Sequence, residues 1–274
     1  MPEGDTIFRT ARTLDRALAG RVVTKFESVY PQLTRADADA PIAGRIVERV
    51  EARGKHLLMW FSNDVVLRTH MRMHGSWHIY RPGERWQRPK HEMRIAIETE
   101  AIHAIAFGVP DAELAPADVI ERGHAIGTLG PDPLADDFDA DEAVRRLSER
   151  TDRAIADALL DQSAIAGIGN VYKSEVLFAG RINPFTEVRI LAREQIAELV
   201  AIAVTLLRAN VTERPAAFAG RRTTNRMDPS ARLWVYGRGG QPCRRCGAAI
   251  AQAKQGSFAR VTYWCERCQP SRRV

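Results

Sequence analysis

Gly127-Thr128-Leu129-Gly130-Pro131-Asp132-Pro133-Leu134 divides the chain into two stretches of different hydrophobic period. Gly and Pro at this density interrupt helices and strands alike, and the acidic run that follows adds a shift of charge, so the segment marks a domain boundary. Upstream, from Arg21 to about Phe107, short runs rich in β-branched and aromatic residues predict strands at Val22–Tyr30, Arg45–Ala52, His56–Phe61, Val65–Thr69 and Ser76–Tyr80. Ser62-Asn63-Asp64 reads as a hairpin turn, and a second hairpin pairs Arg94–Thr99 with Ala101–Phe107. Many strands on short connections predict an antiparallel sandwich, with a short helix near Ala117–Arg122. Downstream the period is helical: Asp139 with Glu142 predicts a capping box, followed by helices at Thr151–Leu160, Val171–Ala179 and Arg193–Ala209.

At 274 residues the chain suits two domains, each able to bury a core. The longest apolar run, Leu199–Leu207, is too short to span a bilayer. The N-terminus lacks a basic-then-apolar signal pattern, which predicts a cytoplasmic protein. From Arg208 to Val274 there are fourteen Lys/Arg against three Asp/Glu, net +11, while the preceding 207 residues carry −5. Such a basic C-terminal quarter predicts a polyanion partner on one face, the competing reading being a solvated arginine-rich tail.

Two polar segments break the strand rhythm: Arg53-Gly54-Lys55-His56 and His70-Met71-Arg72-Met73-His74-Gly75. At the start of the chain, Met1-Pro2-Glu3-Gly4-Asp5 offers a small penultimate residue, so removal of Met1 would expose a secondary amine at Pro2. An α-amino group titrates near about 8 against about 10.4 for lysine, so much more of it is nucleophilic at neutral pH and able to form a Schiff base. Glu3 is placed to exchange protons with whatever that amine attacks. A frayed terminus is the bland alternative, weakened by a predicted helix capped by Asp5, with Ile7, Phe8, Ala11, Leu14 and Leu18 on one face and Gly20 as its stop.

Cys243-x2-Cys246 and Cys265-x2-Cys268, eighteen residues apart, use every cysteine in the chain. The spacing predicts one tetrahedral zinc site on a ribbon, with disulfides as the competing reading. Four protein ligands would close the shell, making the metal structural. Arg260 lies on the segment returning to the second pair, between Phe258 and Tyr263-Trp264, as a candidate probe for phosphates. Ala166-Gly167-Ile168-Gly169-Asn170 joins two helical patterns; a helix N-terminus with an amide side chain is a ready phosphate site, although the same residues would serve an ordinary interhelical turn.

These motifs together resemble the formamidopyrimidine-DNA glycosylase and endonuclease VIII family of base-excision repair enzymes. The resemblance runs from Pro2 to the last CxxC through Met-Pro-Glu-Gly-Asp, Arg-Gly-Lys-His, Leu-Gly-Pro-Asp-Pro-Leu, Gly-Ile-Gly-Asn-Val-Tyr-Lys-Ser-Glu, Val-Tyr-Gly-Arg-x-Gly and Arg-x-Thr-x-x-Cys, in that order. It implies an α+β chain: an N-terminal antiparallel β-sandwich catalytic domain with flanking helices (1–126), a linker (127–137), a helix–two-turns–helix domain (138–234) and a four-cysteine zinc-finger hairpin (235–274). It implies a bifunctional DNA glycosylase and abasic-site lyase, a monomer acting on damaged DNA with one structural zinc and no membrane. By position, Pro2 resembles the nucleophile that attacks C1′, Glu3 the proton shuttle and Lys55 the hairpin lysine on a phosphate near the lesion. Asn170 and Arg260 resemble further phosphate clamps, and His70 another backbone contact. Arg72-Met73-His74 falls where the family fills the gap left by the flipped base.

Pro-Glu-Gly-Asp resembles the endonuclease VIII branch, which takes oxidised pyrimidines, more than the oxidised-purine branch. The glycine-threonine-rich capping loop of the latter is represented at most by Arg221-Arg222-Thr223-Thr224. His74 stands where bacterial endonuclease VIII has tyrosine, and Arg72 where it has glutamine. An oxidised-purine glycosylase, a retired enzyme that only binds damaged or single-stranded DNA, and a zinc-ribbon protein acting on RNA are the competing readings. Pro2, Glu3 and Lys55 together favour the enzyme.

Overall fold

The computed structural model describes residues 2–212, 220–224, 226, 228, 230–257 and 259–271; Met1, with the question of its removal, and Phe258 lie outside them. The chain forms two compact units, Met1–Thr128 and Leu129–Val274.

The first unit opens with α1 (Gly4–Leu18), whose Ile7, Ala11, Leu14 and Leu18 recur at helical spacing and are all buried. Asp5 is not its cap. The helix starts at Gly4, two residues before the start an Asp5 cap implies, and the carbonyl of Glu3 accepts from Thr6 N at 2.9 Å and Ile7 N at 3.1 Å. Asp5 lies buried in the first turn, where a negative group still favours the helix dipole. Then follow β1 (Lys25–Ser28), α2 (Pro31–Asp39), β2 (Val47–Arg53), β3 (His56–Phe61), β4 (Val65–His70) and β5 (Ser76–Tyr80). After them come β6 (Met93–Glu98), β7 (His103–Phe107), β8 (Asp111–Pro116), α3 (Ala117–Arg122) and α4 (His124–Gly127). The strands make two antiparallel sheets, β1-β6-β7-β5 and β2-β3-β4-β8. Leu57, Met59 and Phe61 of one meet Ile95, Ile97, Ala104 and Ala106 of the other in a single core, giving the expected sandwich. Its β3–β4 turn uses Asn63 and Asp64 at φ 61° and 56°, a left-handed conformation these side chains tolerate. The strand expected over Val22–Tyr30 shortens to β1: Val22 makes only an isolated bridge to Ile46, and Pro31 starts a helix.

The second unit contains α5 (Ala140–Ser148), α6 (Ile155–Ala158), α7 (Asn170–Ala179) and α8 (Arg193–Ala209), then the hairpin β9 (Ala251–Gln255) and β10 (Arg260–Trp264). Half of the expected capping box forms: Asp139 Oδ1 accepts from Glu142 N at 2.9 Å, while the Glu142 carboxylate turns to Arg145 and Arg146. The helix expected over Thr151–Leu160 contracts to α6. The backbone before it is claimed elsewhere, Arg153 O accepting from Val188 N at 2.9 Å and Ile155 N donating to Thr186 O at 2.8 Å. Among the described residues no helix is long and apolar enough to cross a membrane.

Candidate active site and metal centre

The outer face of the β2-β3-β4-β8 sheet ends in a polar row. Arg53 pairs with His56, His56 with His70, and His70 with Asp111, straight across four strands. Lys55 sits beside this row in the β2–β3 turn, which Gly54 closes at φ 58°. Behind it is Arg68, buried in β4. Its Nη2 donates to Asp111 Oδ1 at 3.0 Å, its Nε to Glu113 Oε2 at 3.1 Å and its Nη1 to His56 Nδ1 at 3.3 Å. A guanidinium can only donate, so Nδ1 of His56 is the bare nitrogen and Nε2 carries the proton.

The same reasoning fixes His70, whose Nδ1 accepts from Arg72 N at 3.0 Å, leaving Nε2–H as its donor. Burial, then the Arg72 charge, pushes His70 down to about 4. Burial, then His70 and Arg68, pushes His56 down to about 3. Both imidazoles are therefore neutral at pH 7, and the rings meet edge to face with centroids 4.8 Å apart. Arg72 itself has φ 51°, and its side chain is exposed beside an exposed Met73.

The N-terminus is carried to this end of the sheet by α1. Gly20 N donates to Val47 O at 2.8 Å, and Val50 N donates to Asp15 Oδ1 at 2.7 Å. Advancing along β2 thus means going back along α1, so the two run antiparallel. At about 1.5 Å per helical and 3.3 Å per strand residue, the start of α1 comes level with the Lys55 turn. Pro2 is half-buried there and Glu3 fully buried. The first unit therefore draws Pro2, Glu3, Lys55, His70 and Arg72 toward one end of one sheet. Arg68 and Asp111 belong to no sequence motif, and it is strand register that places them at this site.

In the second unit, Asn170 opens α7 and Arg260 opens β10. Asn170 Nδ2 donates to Val261 O at 2.8 Å, so the two phosphate candidates are tied together through neighbouring backbone. Asn170 Oδ1 is buried without a hydrogen-bond partner among the described residues. A phosphate would thus meet the second Nδ2 hydrogen and the positive end of α7. Gln162 braces the preceding loop, donating to Leu160 O and Ile168 O and accepting from Gly167 N. Two buried charged groups of α7 grip the hairpin region. Lys173 Nζ donates to Thr262 Oγ1 at 2.7 Å, and the Glu175 carboxylate accepts from the backbone N–H groups of Trp234, Val235 and Tyr236 at 2.8–2.9 Å.

All four cysteine Sγ atoms lie within 4.8 Å of one another, with Cys243–Cys268 at 3.9 Å and Cys246–Cys265 at 3.4 Å. A tetrahedron with Zn–S bonds of about 2.3 Å requires edges of about 3.8 Å, so the thiolates fit one zinc with no position left for substrate. Its chemistry is structural, holding together a small hairpin.

Three family models match successive parts of the chain. They are the formamidopyrimidine-DNA glycosylase N-terminal domain over residues 1–111, its H2TH domain over 129–218, and the zinc finger found in FPG and IleRS over 240–270. A probable endonuclease 8 2 of Streptomyces coelicolor is 41% identical, the match covering 98% of this chain and 94% of that protein. The DNA-(apurinic or apyrimidinic site) lyase Nei2 of Mycolicibacterium smegmatis is 37% identical over 98% of this chain and 99% of its own. The structure of Lactococcus lactis formamidopyrimidine-DNA glycosylase bound to DNA containing an abasic site superposes with a TM-score of 0.82. That match has 25% identity and covers 98% of this chain and all of that one.

A β-sandwich followed by a helical unit with a zinc ribbon, at this similarity, defines the class of DNA-repair glycosylases. The chain belongs to the formamidopyrimidine-DNA glycosylase and endonuclease 8 family.

Proposed function

We propose that this chain is a bifunctional DNA glycosylase and abasic-site lyase that removes oxidised pyrimidines from DNA. The observation that carries the reading is the antiparallel run of α1 along β2, which brings Pro2 and Glu3 level with Lys55 and His70. The free Pro2 amine attacks C1′, the base leaves, and an iminium to the opened sugar forms. Glu3, buried beside it, moves the proton on the sugar ring oxygen and then in the β- and δ-eliminations that cut the strand. Lys55 and the neutral Nε2–H of His70 hold phosphates next to the lesion, and Arg72, Met73 and His74 occupy the gap. Division of labour follows: residues 1–126 carry the chemistry, 127–137 connect, 138–234 and the finger at 235–274 clamp the duplex through Asn170 and Arg260.

Borohydride reduction with duplexes bearing an oxidised pyrimidine tests this directly. The expected result is a covalent protein–DNA adduct that maps to Pro2. Absence of any adduct on both the lesion duplex and an abasic duplex favours a binding protein, and an adduct on oxidised purines alone moves the chain to the other branch.

The finger's part is separable. Cys246→Ser should lose the metal and loosen the hairpin that carries Arg260, weakening damaged-DNA binding while the N-terminal sandwich stays folded. Metal analysis, circular dichroism and binding on the same sample check it; normal DNA binding by a zinc-free variant overturns it.

A further inference from the structure

Asp111 opens β8 opposite His70, and its two oxygens hold two different arginines. Oδ1 accepts from buried Arg68 at 3.0 Å, and Oδ2 accepts from Arg72 Nη2 at 3.3 Å. Arg68 is itself pinned by Glu113 and His56, so Asp111 is anchored from behind while it holds an exposed side chain in front. The two arginine charges outweigh the effect of burial and keep its carboxyl below the usual range, hence ionised. Arg72 is restrained at both ends, its backbone N–H on His70 Nδ1 and its guanidinium on Asp111, with the chain in the left-handed region between. Met73, the next residue, projects with 54% exposure.

An exposed ion pair of this kind is worth only a few-fold in an equilibrium constant, so an acceptor held in the water-excluded base gap can compete for the guanidinium. The edge of an unpaired base is such an acceptor, and donors arranged in a fork distinguish bases by their acceptor pattern.

We propose that Asp111 is a positioning residue for the base-gap loop: it holds the Arg72 guanidinium against the sheet in the DNA-free protein and yields it to the base opposite the lesion, so that this contact sets opposite-base discrimination. The proposal rests on the reading that residues 72–74 enter the gap. In this arrangement Met73 enters as the wedge first, and Arg72 follows once its contact to Asp111 is exchanged.

The test uses the full zinc-loaded chain and duplexes with one abasic site opposite each of the four bases, so that the lesion branch does not enter. Single-turnover strand cleavage is measured for wild type, Asp111→Asn, Arg72→Ala and the double variant. Arg72→Ala should compress the spread of rates across opposite bases. Asp111→Asn should change that spread by about two- to fivefold when Arg72 is present and leave it unchanged when it is not. An equal change in both backgrounds means a general charge effect and overturns the proposal, as does an unchanged spread in Asp111→Asn. If Asp111→Asn lowers the unfolding midpoint, Arg72→Gln breaks the contact without disturbing Arg68, and a spread identical to wild type then overturns it. Should Arg72→Ala and Met73→Ala both cleave with wild-type rates and spread, the gap reading itself fails, an outcome distinct from an uncoupled Asp111.

Discussion

Protein that keeps Met1, or carries an N-terminal tag, is expected to release no base and cut no strand. The loss should be at least about 10³-fold in single-turnover rate, the scale for removing a nucleophile from a concerted site. Affinity for DNA should change by less than about threefold, because the phosphate contacts assigned to Lys55, His70, Asn170 and Arg260 stay in place. The physical basis is narrow: only a free secondary amine at Pro2 can form the iminium. Intact-mass spectrometry on the assayed sample is therefore part of the measurement. Substantial turnover by protein shown to retain Met1 would remove Pro2 from the mechanism.

Glu3→Gln should fail differently from Arg260→Ala. Glu3 sits at the N-cap of α1 but contributes its carbonyl there, with no side-chain cap, so an amide of the same shape leaves the helix start intact. What it removes is the exchangeable proton. Base excision should fall by on the order of 10²–10⁴ while binding stays close to wild type. Arg260→Ala should instead weaken binding to every sequence alike and lower the salt slope of log K by about one unit, with a smaller effect on a pre-bound substrate. Salt-dependent binding measured beside single-turnover excision separates the two. A wild-type slope in Arg260→Ala, or near-normal excision by Glu3→Gln, rejects the corresponding role.

What could be read from the sequence followed the strength of local pattern. Helix α8 was legible to its bounds because seventeen residues of period carry it, and β3 and β5 because β-branched and aromatic residues end at clear turns. Strand β8 was missed: Asp-Ala-Glu-Leu-Ala-Pro has little strand propensity, lies at a sheet edge and buries only Leu114. Helix α2 was missed for a related reason, since Leu33 is its one buried residue and its start is signalled by Pro31 alone. The motifs named Lys55 and His70, but not what surrounds them. Arg68 looks like an outward position on a strand, and Asp111 like a loop residue. They become partners of His56 and Arg72 only because β4 pairs with both β3 and β8, and register is a tertiary fact.

The grip of α7 on the hairpin has a consequence for how such chains can be recombined. Two groups buried on one helix, Lys173 and Glu175, hold Thr262 on β10 and the backbone ahead of the first cysteine pair, with Asn170 adding a third tie at Val261. The cysteine ribbon is therefore not a cassette. A chimera that exchanged residues 235–274 alone would leave Trp234 N on Glu175 but set the buried Lys173 ammonium against whatever residue the foreign hairpin places at position 262. The exchangeable block begins at Asn170, and grafts cut there should inherit their donor's DNA grip intact.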